Sequence, residues 1–289
     1  EHEMSCIRYP NNSYVWIQYM AYELGQGNIA KARDVAERAL KTISVHETQE
    51  RWNIWSAMIS LENVYGTIDS INDVVKRAQK LNNPLTVQLE LARIYDMSNK
   101  IDRADEAYTA AAKRLGADFN DHAVEIWNSW CAMLFKYGRV DDARKVLGQA
   151  IQKLNTKHHA PVLVKFAQLE FQSEHGSPDR ARMLLEKFLS AHPKRLDIWM
   201  IYIDQETKFA RTLAAKVQGK PGDVKKAKSR VRTLFDRVTA ESQWKVWTTK
   251  QMKFIFKKYL DFEEEMGSSD RVSTVQDKAR LYVASITAE

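Results

Sequence analysis

A tryptophan followed eleven residues later by a glycine recurs along this chain, and that spacing restricts the fold more than any other feature. Related stretches with another residue at the tryptophan position fill the intervals, so the first five units begin 33 to 39 residues apart. Such a period is typical of stacked pairs of antiparallel helices. The sequence therefore predicts an all-α fold, a right-handed α-solenoid of about seven antiparallel helix pairs. The tryptophan–glycine pairs are Trp16–Gly27, Trp55–Gly66 and Trp127–Gly138.

The opening unit shows how each helix pair is built. Ala32, Val35 and Ala39 follow one another at helical spacing on one face, with charged residues mostly on the other. The preceding stretch, 13–24, is apolar on two sides and must be covered by two neighbours. The glycines between them fit a GxGxxA nucleotide fingerprint, but that motif follows a strand and here a helix precedes it. We therefore favour a helix end followed by a tight turn, which glycine permits.

Composition restricts the class of protein further. Only 10 glycines and 6 prolines in 289 residues argue against an all-β fold, whose many turns need more of both. No apolar run approaches the ~20 residues that cross a bilayer, so we expect no membrane association. Cys6 and Cys131 offer neither a disulfide framework nor a zinc knuckle, which suits a reducing compartment. The polar, abrupt start without a secretory signal indicates a piece of a longer polypeptide.

Signatures of catalysis and metal binding are missing from the sequence. The histidines at 158, 159, 175 and 192 are dispersed, and neither an HExxH motif nor a P-loop occurs. The glutamates at 263–265 resemble an acidic helix end. We therefore expect no enzymatic activity, no cofactor and no metal.

A glutamate stands seven residues after the tryptophan in three of the units. It could be a catalytic carboxylate, but its recurrence favours a buried polar contact that orients adjacent units, because one active site does not need a copy in every repeat. The predicted structural residues of the repeat core are Trp16, Glu23, Trp55, Glu62, Trp127, Trp199 and Glu206.

Charge is concentrated in one late segment. Residues 208–258 contain 15 lysines and arginines against 3 acidic residues, a net charge of +12, whereas the whole chain carries +7. The rest of the chain is therefore mildly acidic, at −5. This contrast is the sharpest functional signal in the sequence.

Three hypotheses account for the basic segment. Its cations flank an ordinary apolar helix stripe and could bind the phosphates of a nucleic acid, which we favour. They could instead bind an acidic protein, or simply solvate a linker. Trp244, Trp247 and Phe254 could stack on unpaired bases, although their place in the repeat pattern favours the core. The predicted RNA-binding residues are Lys216, Lys220, Lys225, Lys226, Lys228, Arg230, Arg232, Arg237 and Lys245.

The second helices share a phrase, seen as ARDVAERAL at 32–40, ARKVLGQAI at 143–151 and ARMLLEKFL at 181–189. Together with the tryptophan and glutamate of the first helices, it resembles the HAT (half-a-TPR) repeat of RNA-processing proteins. The third and fifth units depart from that pattern because they lack the tryptophan. WNIWSAMISLENVYGT at 52–67 and PKRLDIWMIYIDQE at 193–206 resemble, more narrowly, the C-terminal region of the ribosomal RNA-processing protein 5 family.

That resemblance implies a role, which we state as an expectation. It implies a monomeric, non-catalytic nucleolar scaffold in ribosome biogenesis, supporting maturation of small-subunit rRNA. Its partners would be pre-ribosomal RNA, small nucleolar ribonucleoproteins and proteins of the small-subunit processome. The full-length polypeptide would also carry an OB-fold RNA-binding array. The alternative is a HAT dimerisation or protein-docking module of mRNA 3′-end processing or splicing, without direct RNA binding.

The expected organisation has four parts. Residues 1–12 are an N-terminal tail. Residues 13–209 hold repeats one to five and the first helix of repeat six. Residues 210–224 form a basic inter-helix loop, because Gly219, Pro221 and Gly222 should break the helix. Residues 225–289 complete repeat six and add a C-terminal repeat.

Overall fold

The computed structural model describes residues 1–115, 121–215 and 221–287. These ranges contain fifteen α-helices, two single-turn 3₁₀ segments and no strand, so the fold is all-α as predicted. The α-helices are α1 His2–Arg8, α2 Ser13–Gly25, α3 Ile29–Thr42, α4 Thr48–Tyr65, α5 Ile68–Leu81, α6 Pro84–Met97, α7 Ile101–Arg114, α8 Asp121–Lys136, α9 Val140–Lys153, α10 His159–Gln172, α11 Pro178–Ala191, α12 Leu196–Ala215, α13 Pro221–Thr239, α14 Thr249–Met266 and α15 Ser269–Thr287.

From α2 onward the described helices form seven consecutive pairs, α2/α3 to α14/α15, which agrees with the predicted α-solenoid. The chain divides into two compact units, residues 1–133 with 152–155, and residues 134–151 with 156–289. In the first unit, the helices of each pair pack together, and α3 packs on α4 and α5 on α6. The first helices of neighbouring pairs, such as α2 and α4, also touch, so that each first helix is covered on two sides.

The second unit follows the same rule. The helices of the pairs α10/α11, α12/α13 and α14/α15 pack together, and α11 packs on α12 and α13 on α14. Its core is a continuous apolar cluster running from Ala167 to Tyr282, with Phe235 stacked on Tyr259 at 4.5 Å between ring centroids. Burial of these large side chains is the main stabilising term, at about 1.5–3 kcal/mol for each.

Helix starts and turns follow local chemistry. Thr67 and Thr248 each form a capping box with the residue three positions on, which satisfies backbone N–H groups at the helix start. Pro84 and Pro178 begin their helices, where the missing N–H has no intrahelical partner to lose. Gly27 adopts a φ of +76° in the turn of the first pair, a conformation that favours glycine.

The structure differs from the sequence expectation at the N-terminus. Within the predicted tail 1–12, the residues of α1 are helical, and Cys6 is buried against the first pair. Trp16 also donates from Nε1 to the carbonyl oxygen of Pro10, at 2.9 Å. An isolated seven-residue helix is unstable in water, so local sequence could not predict it; packing on α2 stabilises it.

The predicted loop 210–224 is also wrong in its extent. Helix α12 continues to Ala215, and α13 begins at Pro221, so most of the predicted loop is helical. The residues between them, 216–220, lie outside the described residues. Good helix formers at 210–215, among them Ala210, Leu213 and Ala215, extend α12, and Pro221 stands at the first position of α13, where a helix tolerates proline.

Candidate nucleic-acid interface

An arginine–glutamate ion pair with a buried carboxylate recurs between consecutive helix pairs. The arginine lies on the second helix of one pair and the glutamate on the first helix of the next. Each guanidinium donates two hydrogen bonds to its carboxylate, the geometry that makes such pairs strong. The carboxylates are at most 6% exposed, so these glutamates orient the repeats. The copies are Arg33–Glu62, Arg144–Glu170, Arg182–Glu206 and Arg232–Glu263, with N–O distances of 2.5–3.0 Å.

Two junctions lack both members of this ion pair. Asn72 and Tyr95 occupy the positions at the junction from α5 to α6, and Asp105 and Leu134 occupy those from α7 to α8. Either member alone would be an uncompensated charge in a buried place, which is strongly destabilising. The joint loss is therefore what physical chemistry predicts. Asp105 has taken a different partner, the Nε1 group of Trp130, at 2.6 Å.

Glu23 belongs to the first helix pair and is satisfied within that pair. It is buried, and its carboxylate accepts from Lys31 at 2.7 Å and from Asn28 at 3.1 Å. The hydrogen bond from Lys31 is the main cause that lowers the pKa of Glu23. Burial raises the pKa of Glu62, but hydrogen bonds from Arg33 and Ser70 outweigh it and leave that pKa below its usual value.

A second recurring contact involves the predicted tryptophans. In two copies a glutamate on one second helix pairs with an arginine on the next second helix, and in the first copy the glutamate is Glu3 of α1; each guanidinium lies over a tryptophan ring. All four predicted tryptophans, Trp127 included, are buried. Trp199 also donates to the carbonyl oxygen of Pro193, as Trp16 does to that of Pro10. The three contacts are Glu3–Arg38 over Trp16, Glu37–Arg77 over Trp55 and Glu186–Arg237 over Trp199.

The predicted RNA-binding cations do not share one role. Arg232 and Arg237 are members of the two recurring contacts just described, and Lys228 donates to the carbonyl oxygen of Met266 at 2.8 Å. These three stabilise the fold. Lys216 and Lys220 lie outside the described residues.

The remaining predicted cations lie at the surface. Lys225 and Lys226 are exposed and Arg230 is half-buried, all on the first half of α13. No ion pair to any of these three is found among the described residues. Lys245 is exposed in the connection between α13 and α14.

The sixth pair is longer than the others, and this places the surface cations. Arg33, Arg144 and Arg182 are each the fifth residue of their helix, whereas Arg232 is the twelfth residue of α13. Nine residues of α12 follow Glu206, against three of α4 after Glu62. At 1.5 Å per residue, about seven extra residues extend each helix by ~10 Å. We call the described residues 208–215 and 221–230 together the basic hairpin.

Charged residues of both signs lie near the basic hairpin. Lys208 is exposed on α12, and Arg211 is paired with Glu265. Asp179, at the start of α11, has a lowered pKa, chiefly because of its hydrogen bond from Arg182, with smaller effects from Arg230 and Lys226. The charges of those two cations of α13 therefore contribute to lowering the pKa of a carboxyl group on α11.

A groove of about 690 Å³ lies between the turn of the fifth pair and α12. Phe171 and Phe209 are half-buried in its wall. The guanidinium of Arg182 lies 5.6 Å from the Phe171 centroid and 5.3 Å from that of Phe209. Sequence analysis missed both phenylalanines. Their only signal is that each follows a buried repeat glutamate, by one residue for Phe171 and by three for Phe209.

The aromatic residues named as possible base-stacking groups fall into two sets. Trp247 is buried, and Trp244 is half-buried against Tyr282, with both indole N–H groups bonded to backbone carbonyls. The core interpretation was right for these two. It was wrong for Phe254, which is 45% exposed on α14.

Within the described ranges, no cluster of three or more His, Cys, Asp or Glu side chains could hold a metal ion. Over the same ranges, no helix is both long enough and apolar enough to span a bilayer. The buried repeat carboxylates are all neutralised by cations or by hydrogen-bond donors. The described residues thus leave exposed cations on α12 and α13 beside a groove lined by aromatic side chains.

Comparison with known proteins places the chain in a family. The family model of the pre-mRNA-splicing factor Syf1/CRNKL1 C-terminal HAT repeat matches residues 9–216. The chain belongs to this family of helical HAT-repeat proteins, as the recurring arginine–glutamate and tryptophan contacts would suggest.

Similarity to individual proteins is more specific than the family match. The chain is 40% identical to the mouse protein RRP5 homolog over 95% of its own length, and 34% identical to rRNA biogenesis protein rrp5 of Schizosaccharomyces pombe over 99%. It is 21% identical to the Drosophila melanogaster pre-mRNA-splicing factor syf1 homolog. The chain spans only 13% and 15% of the lengths of the mouse and S. pombe relatives.

Proposed function

We propose that this chain is a non-catalytic helical scaffold in ribosome biogenesis, and that its basic hairpin contacts ribosomal RNA precursors. The similarity to proteins named for rRNA biogenesis supports the proposed role in ribosome biogenesis. On this proposal the chain acts in the nucleolus, in maturation of small-subunit rRNA, as part of a longer polypeptide that contacts other assembly factors.

One observation carries the RNA contact. The sixth pair keeps the buried ion pairs of the repeat and adds helical length on which cations without ion-pair partners lie, at Lys208, Lys225, Lys226 and Arg230 among the described residues. Stability of the repeat does not require those cations. A row of exposed cations on a projection suits phosphate, through charge-assisted bonds and counterion release.

Fluorescence anisotropy with a single-stranded pre-rRNA fragment, measured across a salt series, tests this contact. The variant Lys225→Gln, Lys226→Gln, Arg230→Gln should bind more weakly than the wild type. Its log–log salt slope should be flatter by about 2, since each single-strand phosphate contact contributes ~0.7. The matched control, Lys76→Gln, Lys113→Gln, Lys157→Gln, removes three exposed cations on other segments and should bind as the wild type does.

Equal loss in the two triple variants would mean that only net charge matters, and the hairpin would have no special role. No binding by the wild type at moderate salt would leave a protein-docking scaffold. The cellular role is tested by replacing the native protein with the hairpin variant. Accumulation of unprocessed small-subunit precursor RNA supports the proposal, and normal processing contradicts it.

A further inference from the structure

The groove beside the basic hairpin combines aromatic, amide and cationic groups. We call it the aromatic groove; its volume is within the ~300–1,000 Å³ typical of small-ligand sites. Two amide side chains meet in it, with Gln172 donating from Nε2 to Oε1 of Gln205 at 3.1 Å. That bond leaves the amide oxygen of Gln172 and the amide nitrogen of Gln205 as an acceptor and a donor. The lining includes Phe171, Gln172, Gly176, Gln205, Phe209 and Thr212.

An arginine with several hydrogen bonds supports the aromatic wall of the groove. Arg182 lies against both phenylalanine rings and is itself fixed by two hydrogen bonds to Glu206 and one to Asp179. Its side chain is 13% exposed. The aromatic surface is therefore held in place before any ligand arrives, which lowers the entropic cost of binding. Arg182 is neutralised by its carboxylates and contributes little net charge.

Charge at the rim favours an anion-bearing ligand. Lys208 and Arg211 lie on the α12 side, and of these Lys208 has no ion pair among the described residues. Lys226 and Arg230 affect the carboxyl of Asp179, next to the lining residue Pro178. In the lining, Glu174 offsets the charge of Lys208, and Glu265 offsets that of Arg211, so the additional positive charge near the groove comes from Lys226 and Arg230 of α13.

We propose that the aromatic groove holds one unpaired base of the RNA bound by the basic hairpin. The base stacks on Phe209, its edge meets the amides of Gln172 and Gln205, and its flanking phosphates lie near Lys208 and Arg230. This inference rests on the proposed RNA contact and adds a base-dependent component to it. Stacking on an aromatic side chain stabilises a bound base and tolerates any sequence, because every base has a π-face.

Binding of two different polyanions distinguishes the contribution of the base from that of the phosphates. The full 289-residue chain is titrated with a fluorescent twelve-residue oligouridylate and with inorganic polyphosphate of equal charge, at one salt concentration. Phe209→Leu should weaken binding of the oligouridylate about tenfold and leave binding of polyphosphate unchanged. The control Phe254→Leu removes an exposed phenylalanine of α14 and should change neither. The triple variant of the hairpin should weaken both.

The outcomes distinguish the two proposals. If the wild type binds oligouridylate and polyphosphate equally, or Phe209→Leu binds RNA normally, the base site is wrong and the hairpin contact stands. If Phe209→Leu loses both ligands alike, the substitution has damaged the hairpin, and the base site is again unsupported. If the wild type binds neither, the RNA contact itself fails.

A measurement on the unaltered protein avoids any folding defect in the variant. Oligouridylate carrying one 4-thiouridine is cross-linked by near-ultraviolet light, and the modified peptide is identified by mass spectrometry. Cross-links in 171–176 or 205–212 support the base site. Cross-links confined to other segments overturn it.

Discussion

The fifth and sixth helix pairs share one stabilising plan and differ in length. Both carry the arginine–glutamate ion pair, as Arg182–Glu206 and Arg232–Glu263. The repeat glutamate and arginine within one pair are 12 residues apart in the fifth pair, at Glu170 and Arg182, and 26 residues apart in the sixth.

This difference separates the cations of a basic segment into two kinds, those that stabilise the fold and those that remain available to a ligand. A cation at a repeat position, such as Arg232, finds a buried carboxylate because the next pair supplies one. A cation on the added length, such as Lys226, has no such partner in the repeat. Position within the repeat, rather than charge, decides which cations remain for a ligand.

The most direct test of this division compares two arginines of the same helix, α13. Arg232→Ala should lower the free energy of unfolding by about 3–5 kcal/mol, because it leaves the buried carboxylate of Glu263 without its cation. Arg230→Gln, two residues away and without an ion pair, should change it by less than ~0.5 kcal/mol. Urea denaturation followed by circular dichroism measures both. Similar losses in the two variants would contradict the division.

Two glycines, Gly176 before α11 and Gly222 in the first turn of α13, should also differ in their tolerance of a side chain. A Cβ at Gly176 in the fifth pair would lie 2.4 Å from the carbonyl oxygen of Glu170, whereas a Cβ at Gly222 in the sixth pair meets nothing within 4 Å. Gly176→Ala should therefore destabilise by about 1–3 kcal/mol. Gly222→Ala should be neutral or stabilise by up to ~1 kcal/mol. Melting temperatures of the two variants check this, and a reversed order would contradict it.

The smallest expected effect concerns pH and extends the comparison to Glu62. Its folded pKa lies below the ordinary 4.5, so its contribution is fully present above pH 4.5. That contribution is lost as pH falls through the lowered folded value, because the unfolded state then binds more protons. Glu62→Gln should make stability less dependent on pH below 4.5. Acid titrations of the two proteins that ran parallel would show that the contribution of Glu62 is negligible.

Much of the fold could be predicted from the sequence because the repeats are visible as recurring residues at a regular spacing. Tryptophan spacing and the shared phrase of the second helices predicted an all-α solenoid of helix pairs, and helix composition predicted no strands. The structural glutamates could be inferred from recurrence. Their partners were missed, since Arg33 and Glu62 are 29 residues apart and only the packing of successive pairs brings them together.

Two other features depended on tertiary structure. Helix α1 is too short to be stable alone, and it forms because Cys6 and Glu3 contact the first pair. The extent of the basic hairpin depended on two opposing signals on either side of residues 216–220. Helix propensity favours longer helices, whereas the glycines and the proline favour a break. The aromatic groove has no sequence motif at all, because three helices contribute to it.

The central claim is that the added length of the sixth pair binds RNA and is dispensable for the repeat. Replacement of residues 207–227 by the fifth-pair turn sequence, residues 171–177, tests it most directly. This change restores the 12-residue spacing between Glu206 and Arg232. We predict cooperative thermal unfolding within about 2 °C of the wild type, the shift expected for ~1 kcal/mol in a chain of this length, together with loss of RNA binding in the anisotropy assay. A folded variant that binds RNA as the wild type does, or a variant that fails to fold, would contradict the claim.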